Sequence, residues 1–575
     1  MKFLHKIFIV LLVLGVSSCD NFKLEELLDN PNAVTPEKAQ VNFLYNSVQL
    51  SFKDILESSW GLPARLSRMS AMQNFTYVNA ATPTTLNTLW TRVYAGNISA
   101  GLTGLLPDVD ALVKLTDERG LDVHGGSARI MKAYALLVLV DLLNNVPYSE
   151  ALKGTDVISP KVDDGASVYA AAEALLDEAI NLLSGTTAAS PEVDLFFNGD
   201  PDKWVTAAKS LKLRIYVTTR LVDGGAAGKI NSLLADGDLI DEASEDFEFH
   251  YGNNRVNPNS RHFLYNNHYE NSDGDYMSNY YMWLLKVDKG FDDPRLRFYF
   301  YRQDGDLTDE DVNVWECIHS TTPFNGEAPD HYKAVDPRLP YCIAHPEGYF
   351  GRDHGNGAGI PPDGPIRTRY GLYPMGGKFD DNSFENTQNS GTDGALGEGI
   401  FPVLLSSYMY FLRAEAALTL GTNDDPREML EKGVRASIAK TLSFASKVDL
   451  SHVVGSDING NPITAEQAFF PKDEDIEDYV AYVLDQYDNN SGDERLNVVM
   501  KEYFIALWGN GLEAYNNYRR TGMPLRIQPA IDNAAGAFAR SALYPSDHVN
   551  LNANATQKSI TDPVFWDNNP PGLTY

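Results

Sequence analysis

Two stretches of this chain bring flat rings together with planar hydrogen-bonding groups. One is QNFTYVN, residues 73–79, preceded by Trp60 and Arg65; the other is HYGNNRVNPNSRHFLYNNHYENSDGDY, residues 250–276. A sugar ring offers C–H faces that stack on aromatic rings, and hydroxyls that amides, carboxylates and guanidinium groups can bind, so this mixture suits saccharide recognition. Trp60, Tyr77, Arg255, Tyr265, Tyr269 and Tyr276 are the candidate ligand contacts. Each of these rings would serve equally well in a core, where large aromatics often sit. Trp90, Trp204, Trp283 and Trp508 lie in helical contexts and are assigned to the core. His354 lies in a glycine-rich loop, and it is expected to be solvated rather than to touch ligand.

Motifs for catalysis are missing. The chain contains no H-E-x-x-H, no G-x-S-x-G and no G-x-x-x-x-G-K-[ST]. The run GNGAG at 355–359 lacks the spacing of a dinucleotide loop and reads as a flexible connection. Asp273, Asp275, Asp292 and Asp293 do not follow the spacing of a calcium loop and read as solvated turn acids, so no metal or other cofactor is expected. A glycoside hydrolase would need two carboxylates about 5–10 Å apart across one sugar ring. So acidic a chain supplies such pairs by composition alone, and hydrolase activity stays an alternative without a distinguishing motif.

The formal charge of −31 excludes partners that are themselves polyanions, such as nucleic acid or an anionic lipid surface. Attachment to a membrane must then come from something other than surface charge, and the N-terminus supplies it. Lys2 and Lys6 precede an apolar run, Ile7 to Val16, too short to span a bilayer, and Val16-Ser17-Ser18-Cys19 closes it. This is the layout of an export signal over residues 1–18, and VSSC resembles a lipobox, in which the Cys19 thiol is acylated and becomes the first mature residue. Cys317 and Cys342 are the other two cysteines. In an exported chain they are expected to form a disulfide, which adds about 3 kcal/mol for a loop of this size, with two separate buried thiols as the alternative.

The elements that must position the candidate residues are mostly helical. SARIMKAYALLVLVDLL, residues 127–143, is apolar around much of its circumference, as in a helix buried between others. Residues 167–183 place Val168, Ala171, Leu175, Ala179 and Leu182 on one stripe and should pair with it as a hairpin. Residues 202–221 with 228–235, and 402–420 with 425–439, give further pairs. Ala133, Ala207, Ala208, Ala414, Ala416 and Ala417 allow close helix approach, the logic of tetratricopeptide-like stacking, although no strict period is present. From about 246 to 397 the sequence turns to Gly, Pro, Asn, Asp and aromatics, and reads as an irregular, loop-rich insertion of loops with short strands or helices.

Several stretches, in order, resemble the SusD/RagB family of surface lipoproteins, and its SusD-like branch in particular. They are ARIMKAYALLVLVDLLNNVP (128–147), WVTAAKSLKLR (204–214), DPRL (293–296), YPMGGKFD (373–380), PVLLSSYMYFLRAEAAL (402–418), GLEAYNNYRRTGMP (511–524) and RSALYP (540–545). Read physically, Asp293 should cap its own turn and take Arg295, while Glu513 and the Arg519–Arg520 pair should tie one helix to its neighbours. The resemblance implies a mainly α SusD-like fold, one domain over 19–575 with its insertion at about 246–397. It also implies a non-enzymatic, lipid-anchored binder on the outer membrane that captures oligo- or polysaccharide and delivers it to a SusC-like TonB-dependent transporter. The RagB side of the family implies peptide as the alternative ligand. The lipid would hold such a lid close to its barrel and raise the effective concentration of one for the other.

Overall fold

The computed structural model describes residues 36–96, 104–271, 274–303, 305, 328–341, 347–357, 367–387 and 391–569. The signal segment with Cys19, and the Cys317 and Cys342 pair, lie outside the described residues.

The first half is a stack of helices: α1 (Pro36–Ser58), α2 (Leu105–Arg119), α3 (Asp122–Leu143), α4 (Gly165–Leu183), α5 (Pro201–Thr218) and α6 (Ala226–Asp236). All of α3 except Asp122 and Lys132 is buried, because α1, α2, α4 and α5 pack around it. The α3–α4 hairpin forms as the sequence predicts, with its apolar stripe rotated by about one residue. Leu176 and Leu183 face inward, and Leu175 and Leu182 are only partly covered. The partner helix makes the choice: Leu183 sits directly over Gly126, where a Cβ would overlap its side chain.

The second half adds α7 (Ser406–Leu420), α8 (Pro426–Ser443), α9 (Asp473–Asn489), α10 (Gly492–Ala506) and α11 (Gly511–Thr521). The expected α7–α8 pair forms. Its first residues correct the reading of one helix over 402–420, since the chain from Ile400 to Leu404 is a buried strand, β4. That strand pairs antiparallel with β1 (Phe247–His250), so the insertion begins and ends on one two-stranded ribbon. Within it, β2 (Phe300–Tyr301) pairs with β3 (Arg369–Tyr370), and short helices span Tyr265–Tyr269, Asn279–Lys286, Leu296–Tyr299 and Asp330–Val335. A hairpin of β5 (Val453–Ser456) and β6 (Pro462–Thr464) follows α8.

Buried ion pairs join the halves. Asp141, in the last turn of α3, accepts from Arg214 of α5, the Tyr169 hydroxyl, Asn516 (2.9 Å) and the Trp566 indole (3.0 Å). Arg214 also reaches Glu513 of α11 at 2.7 Å. Arg520 grips Glu415 with two bonds of 2.8 Å. Arg519 departs from its expected partner type: its guanidinium donates to the Asp141 and Arg540 carbonyls and to Asn516. The Asp293 turn forms as read, with the Arg295 amide and guanidinium both bonded to its carboxylate. It is not a solvated acid, however. Asp293 is buried, and Arg295 holds its carboxyl below the usual value despite the burial. No helix among the described residues is long and apolar enough to cross a membrane.

Candidate functional site

The stretch 67–80 leaves the helix Gly61–Leu66 through Arg68, whose φ of +65° is left-handed. A non-glycine residue there costs about 1–2 kcal/mol, so other contacts must fix it. The Arg68 guanidinium supplies them from a fully buried position. It donates to the Gln528 carbonyl (3.0 Å), the Leu66 carbonyl (2.7 Å) and the Tyr77 hydroxyl (2.9 Å). The Tyr77 hydroxyl lies 3.1 Å from Nε2 of His354. The His354 amide donates to the Gln528 side chain (3.2 Å), whose amide in turn donates to Asp353 (2.9 Å). Three segments remote in sequence are thereby locked together.

Burial, with the Arg68 charge beside it, holds the His354 imidazole well below its usual pKa and therefore neutral. Burial also raises the Tyr77 hydroxyl, against the pull of Arg68. His354 is thus an interior residue, 1% exposed, and not the solvated loop histidine expected. The reason is the glycine-rich run that follows it. Gly355 takes φ of +78° and donates to the Met72 carbonyl, and Gly357 lies so close to the Gln73 carbonyl that a Cβ would collide with it.

On this base the chain turns outward. Thr76 caps the one-turn helix Tyr77–Ala80, accepting from Asn79 at 3.3 Å, and the helix swings Tyr77 inward against His354 and Phe538. Phe75 is left facing solvent at 38% exposure, with Val78 at 60%. Asn79 is exposed, and Gln73 and Asn74 are half-buried beside them. The result is a rigidly backed phenyl surface among planar amides. That chemistry stacks on a sugar face and binds its hydroxyls.

The other candidate contacts lie elsewhere. Trp60, Tyr265, Tyr269 and Tyr276 are all buried. Tyr265 and Tyr269 stack with centroids 5.0 Å apart, and their hydroxyls donate to the Asp393 and Tyr370 carbonyls. Trp60 meets the Tyr370 ring edge-on. Trp60 and Tyr269 are therefore brought together, but on β3 inside the insertion. Tyr276 is sandwiched between the Arg352 and Arg367 guanidinium groups, at 4.2 and 4.4 Å. Arg255 alone is exposed, and it pairs with Glu270 at 2.5 Å. Hydrogen bonds from Arg261 and Arg255 lower the Glu270 carboxyl. An insertion with few long helices builds its own core from its largest rings, which buries their faces. Trp204, Trp283 and Trp508 are buried as expected, and Trp90 is half-buried against Tyr94 and His548.

Phe75, the strained Arg68 and the roles of Gly355 and Gly357 escape the sequence reading. Among the described residues no group of three or more His, Cys, Asp or Glu is placed to hold a metal ion.

A SusD-like family model described as "Starch-binding associating with outer membrane" matches residues 31–328. A second, described as "Susd and RagB outer membrane lipoprotein", matches residues 398–561. The fold is similar to that of a SusD/RagB family protein from Bacteroides thetaiotaomicron, at 18% identity and a TM-score of 0.63, covering 92% of this chain and 99% of that one. It is also similar to a chitin-binding SusD homologue from Flavobacterium johnsoniae, at 17% identity and a TM-score of 0.60, covering 92% of this chain and 100% of that one. At these identities the likeness speaks for the fold. A comparison with curated proteins gives no match.

Proposed function

This chain belongs to the SusD/RagB family of outer-membrane lipoproteins, and we propose on that premise that it captures an oligo- or polysaccharide and delivers it to a SusC-like TonB-dependent transporter. In this reading residues 1–18 are the export signal, Cys19 carries the lipid that anchors the chain at the cell surface, and 19–575 work as one unit. No reaction is assigned to it.

The observation that carries the reading is Phe75, exposed among Gln73, Asn74 and Asn79 on a base fixed by Arg68, Tyr77 and His354. Binding by such a surface loses little entropy to ordering, because the backbone is already held. A solved relative described as chitin-binding supports saccharide as the ligand class.

The test is electrophoresis of a soluble form, residues 20–575, through native gels cast with a panel of polysaccharides. Selective retardation by one glycan, diminished by Phe75→Ala, is the expected result. Retardation by none of them, with binding to peptides instead, overturns the reading in favour of the RagB-like alternative.

A further inference from the structure

A cleft of about 620 Å³ opens between the Asp293–Pro294 turn and the segment that joins the helix Ala465–Phe469 to α9. Its size falls within the usual range for small-ligand sites. Phe291, Leu296, Phe469 and Phe470 supply apolar walls, and Asp475 and Asp478 stand at its edge.

The walls are preset. Phe291 is 37% exposed, and the rings of Tyr479 and Tyr482 hold it edge-on at 6.1 and 5.2 Å. The Arg297 guanidinium lies 4.4 Å from the centre of the Phe469 ring and is itself tied to the Asp380 carbonyl and to Asn382, each at 2.9 Å. Pro294 belongs to the turn fixed by Arg295. A ligand therefore meets oriented aromatic surface without having to order it.

The edge carries an excess of negative charge. Asp292 is paired with Lys286 at 2.7 Å, and Arg297 lies 3.6 Å from the Asp380 carboxylate. Asp475 accepts the Lys472 amide, but neither Asp475 nor Asp478 has an ion-pair partner among the described residues. Lys472 is the lining cation left to oppose them. An apolar ring face for the walls and a positive nitrogen for the carboxylates define the ligand. A peptide would bring the same charge. The choice of a saccharide rests on the function proposed above, and a lysine-rich peptide is the competing outcome of the test.

We propose that this cleft is a second saccharide site, selective for a sugar residue bearing a protonated amine. It shares no residue with the Phe75 surface, so the two sites fail independently.

Calorimetric titration of the mature chain with a glucosamine tetramer and with its N-acetylated counterpart tests this. The amine tetramer is expected to bind and to weaken by about tenfold in Asp475→Asn/Asp478→Asn. Added salt should weaken it as well, and in a Phe75→Ala background the amine tetramer should still bind more tightly than its N-acetylated counterpart. The paired acid variant keeps the acceptor for the Lys472 amide, and an unchanged melting temperature certifies its fold. The proposal is overturned if the two tetramers bind alike, if Phe75→Ala rather than the acid changes abolishes amine binding, or if only a lysine-rich peptide binds. Amine binding that persists when no neutral glycan binds would sink the Phe75 reading and leave this site standing.

Discussion

Phe75 and Tyr77 stand two residues apart and face opposite ways, the first 38% exposed and the second 1%. Between them Thr76 ends the extended chain and caps the turn. The two rings should therefore separate binding from stability. Phe75→Ala is expected to weaken glycan binding by about tenfold with no change in melting temperature.

Tyr77→Phe should do the reverse. It keeps the ring but removes the oxygen that accepts from the buried Arg68, which costs about 1–3 kcal/mol. Denaturant unfolding measures the loss, and glycan affinity of the folded fraction should stay close to wild type.

Gly357→Ala tests whether the glycine-rich run sets the site. The new methyl would meet the Gln73 carbonyl and press on the Phe75 ring. The expected outcome is reduced glycan affinity in titration, larger in proportion than any shift in thermal unfolding.

Glu415 is shared by Arg520 and Arg220, both buried, with Arg220 at 2.9 Å. Glu415→Gln would take from two interior guanidinium groups the carboxylate they share. A loss of about 3–5 kcal/mol in unfolding free energy is expected, as for a broken buried ion pair.

The root of the insertion should respond to pH. Asp246 and Glu248 share the Lys440 ammonium at 2.9 and 2.7 Å, and Asp246 also accepts the Ser406 amide. Burial raises both carboxyls in spite of that lysine, Asp246 from 3.8 to about 6. His250, 3.3 Å from Glu248, is lowered by burial, with Lys440 and Lys447 adding to the effect. Between the two Asp246 values the native state holds a proton that the unfolded chain has released, so raising the pH through that window destabilises the fold. Unfolding free energies measured for wild type and Asp246→Asn isolate this group. The stability of wild type relative to the variant should fall as pH rises to about 6 and stay level above it.

The helical scaffold was legible because long apolar periodicities leave few alternatives. Where it was misread, two neighbours offered the same chemistry. Leu175 and Leu176 fit a stripe equally well until Gly126 supplies the socket for Leu183. The short apolar run 400–404 suits a strand or a helix, and pairing with β1 makes the choice. Saccharide-type composition around residues 73–79 was visible, but which ring faces outward was not. That depends on Arg68, which takes a left-handed backbone only because Gln528 and Tyr77 are there to hold it. The rings of the insertion looked like binding residues for the same reason they make a good core: size and flatness serve both.

The ribbon of β1 and β4 returns the chain to the scaffold beside the point where it left, after an excursion of about 150 residues. With its ends already joined, doubling the length of such an excursion costs only about 0.6 kcal/mol in loop entropy. Added residues in its exposed loops, away from the ribbon, the buried rings and the His354 contacts, are thus nearly neutral for stability. Natural variation can lengthen those loops at a pace the helices beneath them could not survive.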